Sequence, residues 1–328
     1  MPCLRPIPTS SDESIFVKKI FLTDYIGLCN RLEALRFSFG LQRGLGHGIS
    51  VDWPEWDSLH VEGVQGERFR WHDRIGAIKL RDGFQGDLRR LGSYRRIVQR
   101  TWAGPPEWMI PIEEIGSRLR LRSDLRNAIA QLLSPHMGRP VVGVHIRRGD
   151  FQGFNEISYD AGVTRARAVP LWWFEAVMQR LARRWPETVF LLSTTGDPQD
   201  LALLQTQFRT LVLPIRSPYA HKGSDHQSAV HPVADLFALA CCRTLLATPG
   251  STFSNFAANV LGPESVSILP PPRTDRANVQ FGWVKLPKAS PAEWGAVGKT
   301  GAGLSLDSGE CLMVPAPGPP EVDWIRTW

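Results

Sequence analysis

Cysteine is scarce in this sequence and shows no pairing pattern. There are five (Cys3, Cys29, Cys241, Cys242 and Cys311), two of them adjacent and none in a CxxC. An odd count with no such spacing speaks against a disulfide framework or a structural zinc site and fits a reducing compartment. Long apolar runs are also missing. None approaches the ~20 residues that a membrane-spanning helix needs. The Pro- and Ser-rich opening, Met1 to Ser14, lacks the apolar stretch of a secretory signal. The expected setting is therefore cytoplasmic. No GxGxxG and no GxxxxGK occurs, which removes support for nicotinamide-dinucleotide or P-loop binding. No internal repeat, RNA-binding aromatic motif or basic repeat is present, so nucleic acid is not an expected partner.

What is present suits a sizeable buried core. The 328 residues are 43% hydrophobic and 21% charged, enough for one large domain or two of ordinary size. The formal net charge of +6 fits an anionic partner such as nucleotide phosphate, anionic lipid or nucleic acid without choosing among them, or simply an arginine-rich composition.

Ile15 to Thr23 reads as a first strand, Asp24 to Gly27 as a turn, Leu28 to Leu41 as a helix and His47 to Trp53 as a second strand. Glu55 to Pro111 is rich in Trp, Gly and Arg and shows no sustained period. Ile112 to Leu133 has a helical pattern, and Ser134 to Pro140 is a breaker cluster. Beyond it, strand and helix alternate. Val141–Ile146, Val189–Leu192, Leu211–Leu213, Thr244–Thr248 and Val266–Leu269 read as strands. Pro170–Trp185, Asp200–Phe208, Val233–Cys242 and Ser251–Leu261 read as helices. That alternation predicts an α/β fold with a doubly wound parallel sheet. The expected domains are 1–138, 139–283 and a Pro/Gly/Trp-containing extension, 284–328.

Three segments carry chemistry. His145-Ile146-Arg147-Arg148-Gly149-Asp150 leaves the carboxyl end of a buried strand, the edge where open α/β sheets bind ligands. Side-chain alternation puts Arg147 on the face of His145 and sends Arg148 elsewhere. Arg147 is then suited to a diphosphate, which a guanidinium fork meets in a bidentate way. Arg148 is suited to a structural carboxylate, and Asp150 to fixing one guanidinium. Thr248 to Ser254 joins a strand to a helix, and its hydroxyls and free N–H groups can cap that helix or hold an anion. Asp24 to Leu32 is a glycine turn into a helix, with Asn30 and Arg31 in its first turn.

HIRRGD after an apolar strand, GLCNRL near the N-terminus and a late STFSNFAA resemble the fucosyltransferase superfamily with the HxRRxD motif. That group contains α1,2-, α1,6- and protein O-fucosyltransferases and the bacterial nodulation fucosyltransferase. The likeness spans Phe16 to Leu269 in order. It implies a GT-B glycosyltransferase with two Rossmann-like domains facing across a cleft, the N-terminal one on the acceptor side. It implies GDP-fucose as donor, inversion at the anomeric carbon, and no obligatory metal or other cofactor. No metal-binding DxD stands beside a strand, in agreement. The resemblance maps diphosphate binding onto Arg147, the second arginine onto Arg148 and the motif carboxylate onto Asp150, with His145 in the same donor site. It maps the late phosphate site onto Ser251, Thr252 and Phe253, and acidic positions onto Asp235 and Asp197. The N-terminal turn falls on Gly27, Asn30 and Arg31. The expected acceptor is a glycan, oligosaccharide or lipid-linked sugar.

For the base, Glu156 stands where the α1,6 branch carries its acidic residue; Asp52 and Glu55 are the other candidates. His221, His226 and His231 recur every five residues, which gives no common face for a metal site, so they read as loop residues near the cleft. The stretch holding Arg89, Arg90, Arg95, Arg96 and Arg100 suits a solvated helix face or peripheral contact with a membrane. Two readings compete with GDP-fucose transfer: the same fold acting on another nucleotide sugar, and a non-catalytic nucleotide- or glycan-binding protein.

Overall fold

The computed structural model describes residues 18–23, 26–84, 86–148, 157–160, 168–195, 198–216, 231–285 and 316–328. Along the chain run β1 (Lys19–Thr23), α1 (Leu28–Leu45), β2 (Gly48–Asp52), β3 (Leu59–Val61), β4 (Val64–Gly66), β5 (Ile78–Arg81) and β6 (Arg96–Arg100). Next come α2 (Ile112–Arg118), β7 (Leu119–Leu121), α3 (Ser123–Leu133), β8 (Val141–Ile146), β9 (Ser158–Asp160), α4 (Leu171–Arg184) and β10 (Val189–Thr194). The last are α5 (Pro198–Gln207), β11 (Thr210–Leu211), α6 (Pro232–Ala240), β12 (Thr244–Leu246), α7 (Thr252–Asn255), β13 (Val266–Leu269), β14 (Arg273–Asp275) and β15 (Gly282–Lys285).

The described residues form two compact units. One takes them from Met1–Tyr25, Glu33–Trp53 and Gly63–Ile110; the other from Ile26–Leu32, Pro54–Glu62 and Pro111–Trp328. The Ser134–Pro140 breaker cluster thus lies inside the second unit, between α3 and β8.

The first unit is built on a five-stranded parallel sheet of order β4-β2-β1-β6-β5. Ile20, Phe21 and Leu22 of the central strand are all buried. A strand covered on both faces has no polar side to show, so its sequence is continuously apolar. The second unit holds a sheet of order β11-β10-β8-β12-β13-β15, parallel except for β15. The chain runs outward from β8 through β10 to β11, then returns to β8's other side for β12 and β13. That is the doubly wound order, with its switch point between β8 and β12.

The two faces of this sheet differ. Val142, Val144 and Ile146 point to one, where Trp172, Trp173, Phe174 and Val177 of α4 and Leu201 and Leu204 of α5 cover them. Gly143 and His145 point to the other, toward α6 and α7. A Cβ on Gly143 would stand 3.0 Å from the Leu239 side chain, so glycine lets α6 lie close to β8.

Three sequence expectations are corrected. Ile112–Leu133 is not one helix, because Leu119–Leu121 pairs antiparallel with β3 and separates α2 from α3. The predicted helix Ser251–Leu261 is one turn of α-helix followed by a π-helical turn over Phe256–Val260. The arginine-rich stretch is no helix face either: Arg89 and Arg90 sit in a 3₁₀ turn and Arg96–Arg100 is β6. Of the extension, 286–315 lies outside the described residues. Its end is anchored by tryptophan: Trp324 stacks on Phe237 of α6 at 5.6 Å, and the main chain of Glu321 bonds to Cys241.

Gly40 of α1 tests the packing of the first unit. A Cβ there would fall 1.8 Å from the main-chain carbonyl oxygen of Trp108. Gly40→Ala is expected to lower stability by about 1–3 kcal/mol or more, the usual range for overpacking, measured by denaturant unfolding. An unchanged midpoint and slope would refute this packing.

Candidate functional site

β8, β10 and β12 end side by side, and hydroxyl side chains tie their ends together. Thr248, just past β12, donates its Oγ1–H to the carbonyl of His145 at 2.8 Å and accepts the N–H of Arg147 at 3.3 Å. On the other flank, Thr195 Oγ1 accepts the N–H of Arg148 at 3.0 Å and donates to the same residue's carbonyl at 3.2 Å. Thr194 Oγ1 donates to the carbonyl of Ile146 at 3.0 Å. The double-arginine segment therefore leaves the sheet with its main chain held from both sides.

The two arginines diverge as strand alternation requires. Arg148 Nη1 donates to the carbonyl of Val169 at 2.9 Å, just before α4. Its partner on this side is a main-chain oxygen. Arg147 leaves on the face of His145, near enough for its charge to help depress that ring's pKa.

His145 is fully buried. Its ring stacks on Phe253 at 4.9 Å, and Nδ1 lies 2.7 Å from Ser254 Oγ. Desolvation, then the Arg147 charge, pull its pKa from 6.5 down to about 3, so it is neutral near pH 7. Nε2 has no hydrogen-bond partner among the described residues. With no exposed surface, His145 has its direct part in supporting Phe253 and Ser254.

The turn after β12 needs glycine, because Gly250 has φ 73°, a region that other residues occupy at a cost. Ser251 then caps α7 by accepting the N–H of Ser254. The first N–H groups of a helix have no partner within it. Those of Thr252 and Phe253 belong to the first turn after β12. Thr252 is half-buried, and the Phe253 ring is turned inward onto His145.

Asp235 lies in the first turn of α6, 3% exposed. Desolvation raises its carboxyl pKa from 3.8 to about 7, and a hydrogen bond from Ser193 partly offsets the rise. Ser193 is the register partner of His145 across β10 and β8. His231, expected in a loop, is the N-cap of α6. Its Nδ1 accepts the N–H of Ala234, and Nε2 lies 3.3 Å from Ser58 Oγ. Because Nδ1 is an acceptor, Nε2 carries the proton and donates to Ser58. A Ser–His pair in that sense cannot take the serine's proton.

At the N-terminal turn, Arg31 is buried and paired with Glu55 at 2.7 Å. Glu55 is thereby committed to Arg31 through one oxygen. Asp52 accepts the N–H of Phe69 at 2.9 Å. Asn30 is half-buried and Gly27 exposed. A Cβ on Gly27 meets nothing within 4 Å among the described residues. Asp150, Glu156, Asp197, His221 and His226 lie outside the described residues. The structure brings together His145, Arg147, Asp235, Ser251, Thr252 and Phe253. It adds Thr248 and Ser254, whose sequence signal was their place in the hydroxyl-rich segment after a strand, and Ser193 and Thr195 at the end of β10. Among the described residues no group of His, Cys, Asp and Glu could hold a metal, and no helix is long and apolar enough to cross a membrane.

The raised pKa of Asp235 has a thermodynamic consequence. Its folded value lies above its unfolded one, so the native state holds the proton more tightly and loses relative stability as pH rises from about 4 to 7. Asp235→Asn removes that dependence. Urea unfolding at pH 5 and pH 8 is expected to show the variant gaining on the wild type at the higher pH. A stability difference independent of pH would contradict a buried, proton-holding carboxyl.

No protein-family model matches the chain, and no curated protein sequence matches it. Solved structures do. The NodZ α-1,6-fucosyltransferase soaked with GDP-fucose is 18% identical with a TM-score of 0.50, over 83% of this chain and all of that one. A mutant of FUT1 from Arabidopsis thaliana in complex with GDP is 14% identical, TM-score 0.51, over 81% of this chain and 73% of that one. POFUT1 in complex with GDP is 12% identical, TM-score 0.50, over 76% and 97%. At these identities the likeness is one of fold: the chain has the α/β architecture, with two parallel sheets, of GT-B fucosyltransferase structures.

Proposed function

We propose that this protein is an inverting, metal-independent glycosyltransferase that moves fucose from GDP-fucose to a hydroxyl of a glycan or other acceptor. The observation that carries the reading is the switch point of the second sheet. There Arg147, held at its main chain by Thr248, shares one edge with the capped turn at Ser251–Thr252. The fold is shared with proteins whose structures hold GDP or GDP-fucose. Arg148, tied to Val169, fits a positioning part, and so does the Arg31–Glu55 pair.

In the proposed reaction the acceptor oxygen attacks the anomeric carbon from the face opposite the diphosphate. The carbon–oxygen bond to the β-phosphate breaks and its electron pair leaves on GDP. Arg147 and the Thr252 and Phe253 N–H groups take up that charge as fixed donors, needing little reorganisation as it develops. Neutral His145 adds no charge of its own; it keeps Phe253 and Ser254, and so the turn, in place. The acceptor's proton passes to a base, for which Glu156 is proposed. A cytoplasmic site of action belongs to the same proposal.

Arg147→Ala is expected to lower turnover by ~10²–10³ or more while circular dichroism and unfolding midpoint stay those of the wild type. Glu156→Gln is expected to lose ~10²–10⁴ with donor affinity retained. Thermal-shift titration with GDP, UDP and dTDP and their sugars is the first measurement. Stabilisation by GDP together with release of GDP from GDP-fucose supports the reading. A response only to another nucleotide would transfer the chemistry to that donor. No nucleotide response, or full activity in Arg147→Ala, would refute it.

A further inference from the structure

The carboxyl edge of the second sheet carries a feature that donor binding leaves unused. β9 comes after the double-arginine segment that leaves β8, and β14 comes four residues after β13 ends. The two pair antiparallel, with Tyr159 opposite Thr274. Residues 270–281 form an excursion beyond the sheet, because β15 returns to pair Gly282 with Leu269. The excursion sits on the α4 face. Tyr159, Val279 and Phe281 are buried among Val144, Ile146 and Val169, and Trp173 Nε1 donates to the carbonyl of Gln280 at 2.9 Å. Arg148 reaches this side too, through Val169.

Between β9, β14 and the turn after it lies a pocket of about 260 Å³. Buried Tyr159 and Thr274 form its floor. Asp160, Arg273, Asp275, Asn278 and Gln280 line it, with Arg273 and Asp160 3.1 Å apart. Carboxylate, amide and guanidinium groups are planar and offer donors and acceptors in pairs, which matches adjacent hydroxyls on a sugar ring. Its size is just below the ~300–1,000 Å³ of drug-sized sites, so it has room for one ring and not a nucleotide. Among the described lining residues Asp160 and Asp275 stand against Arg273, a balance that suits a neutral ligand better than a phosphate. It lies on the α4 face, opposite the face that carries His145, α6 and α7.

We propose that this pocket is a subsite for a neutral sugar ring of the acceptor. That assignment rests on the transferase reading, and it places a specificity element in the second unit. The position argues for the acceptor over the donor's own sugar, which is tied to a diphosphate on the other face.

The test uses Asn278→Ala combined with Gln280→Ala in the full chain. Among the described residues these two hold the turn through main-chain atoms: the Asn278 N–H donates to Asp275, the Asn278 carbonyl accepts from Thr274, and the Gln280 N–H donates to Thr274. Both side chains are exposed, so truncation spares the fold. Saturation-transfer NMR with methyl glycosides of galactose, glucose, mannose and N-acetylglucosamine is expected to show at least one bound by the wild type. The double variant should bind it roughly tenfold more weakly, as loss of two such hydrogen bonds gives, with the GDP thermal shift unchanged. Sugar binding without any GDP response would uphold the pocket and sink the donor reading. The proposal is overturned if no glycoside binds, if the variant binds as the wild type does, or if the variant instead raises KM for GDP-fucose.

Discussion

Thr248 Oγ1 donates to one main-chain carbonyl of the double-arginine segment and accepts the N–H two residues on. Thr195 does the same from the opposite flank at a single residue. At the edge of a sheet the ladder runs out, and main-chain groups there must find other partners or stay unsatisfied. Two threonines from two neighbouring strands meet that need. In doing so they fix where the Arg147 and Arg148 side chains depart. The direction of Arg147, the stacking of His145 on Phe253 and the capped turn at Ser251 all follow from a strand end that cannot move.

Beneath that edge is a layer of buried polar groups whose burial favours neutral forms. Desolvation holds His145 neutral and keeps the proton on Asp235 up to about pH 7. A charged group left in this layer without a close partner would cost far more than a neutral, hydrogen-bonded one. The positive charge at the edge is therefore carried by Arg147 at half-buried depth. Neither neighbour's charge opposes it there, which suits a site built to receive negative charge.

Much of this was legible in the sequence, for a local reason. A strand buried on both faces must read as a continuous apolar run, so Val141–Ile146 announced itself. Alternation then separated Arg147 from Arg148 without any knowledge of partners. Ser251 after a strand and a glycine turn reads as a cap or an anion site, and it caps α7. The illegible parts depend on residues far apart in the chain. Leu119–Leu121 looks helical until β3 pairs with it. Arg31 reads only as a first-turn arginine until Glu55, from the second unit's Pro54–Glu62 segment, pairs with it out of solvent. His231 looks like a loop histidine until Ser58 comes within reach of its ring.

Local pattern settled the alternation of strands and helices, the apolar run of the strand that ends in HIRRGD, and the divergence of its two arginines. These rest on periodicities of two and 3.6 that need only neighbours in the chain. Only long-range packing made Thr195 and Thr248 clamp that strand end. It also turned His145 and Phe253 inward together and paired Asp160 with Arg273 at the rim of a polar pocket. Each of those depends on strand order and register, which long-range packing selects and local pattern does not encode.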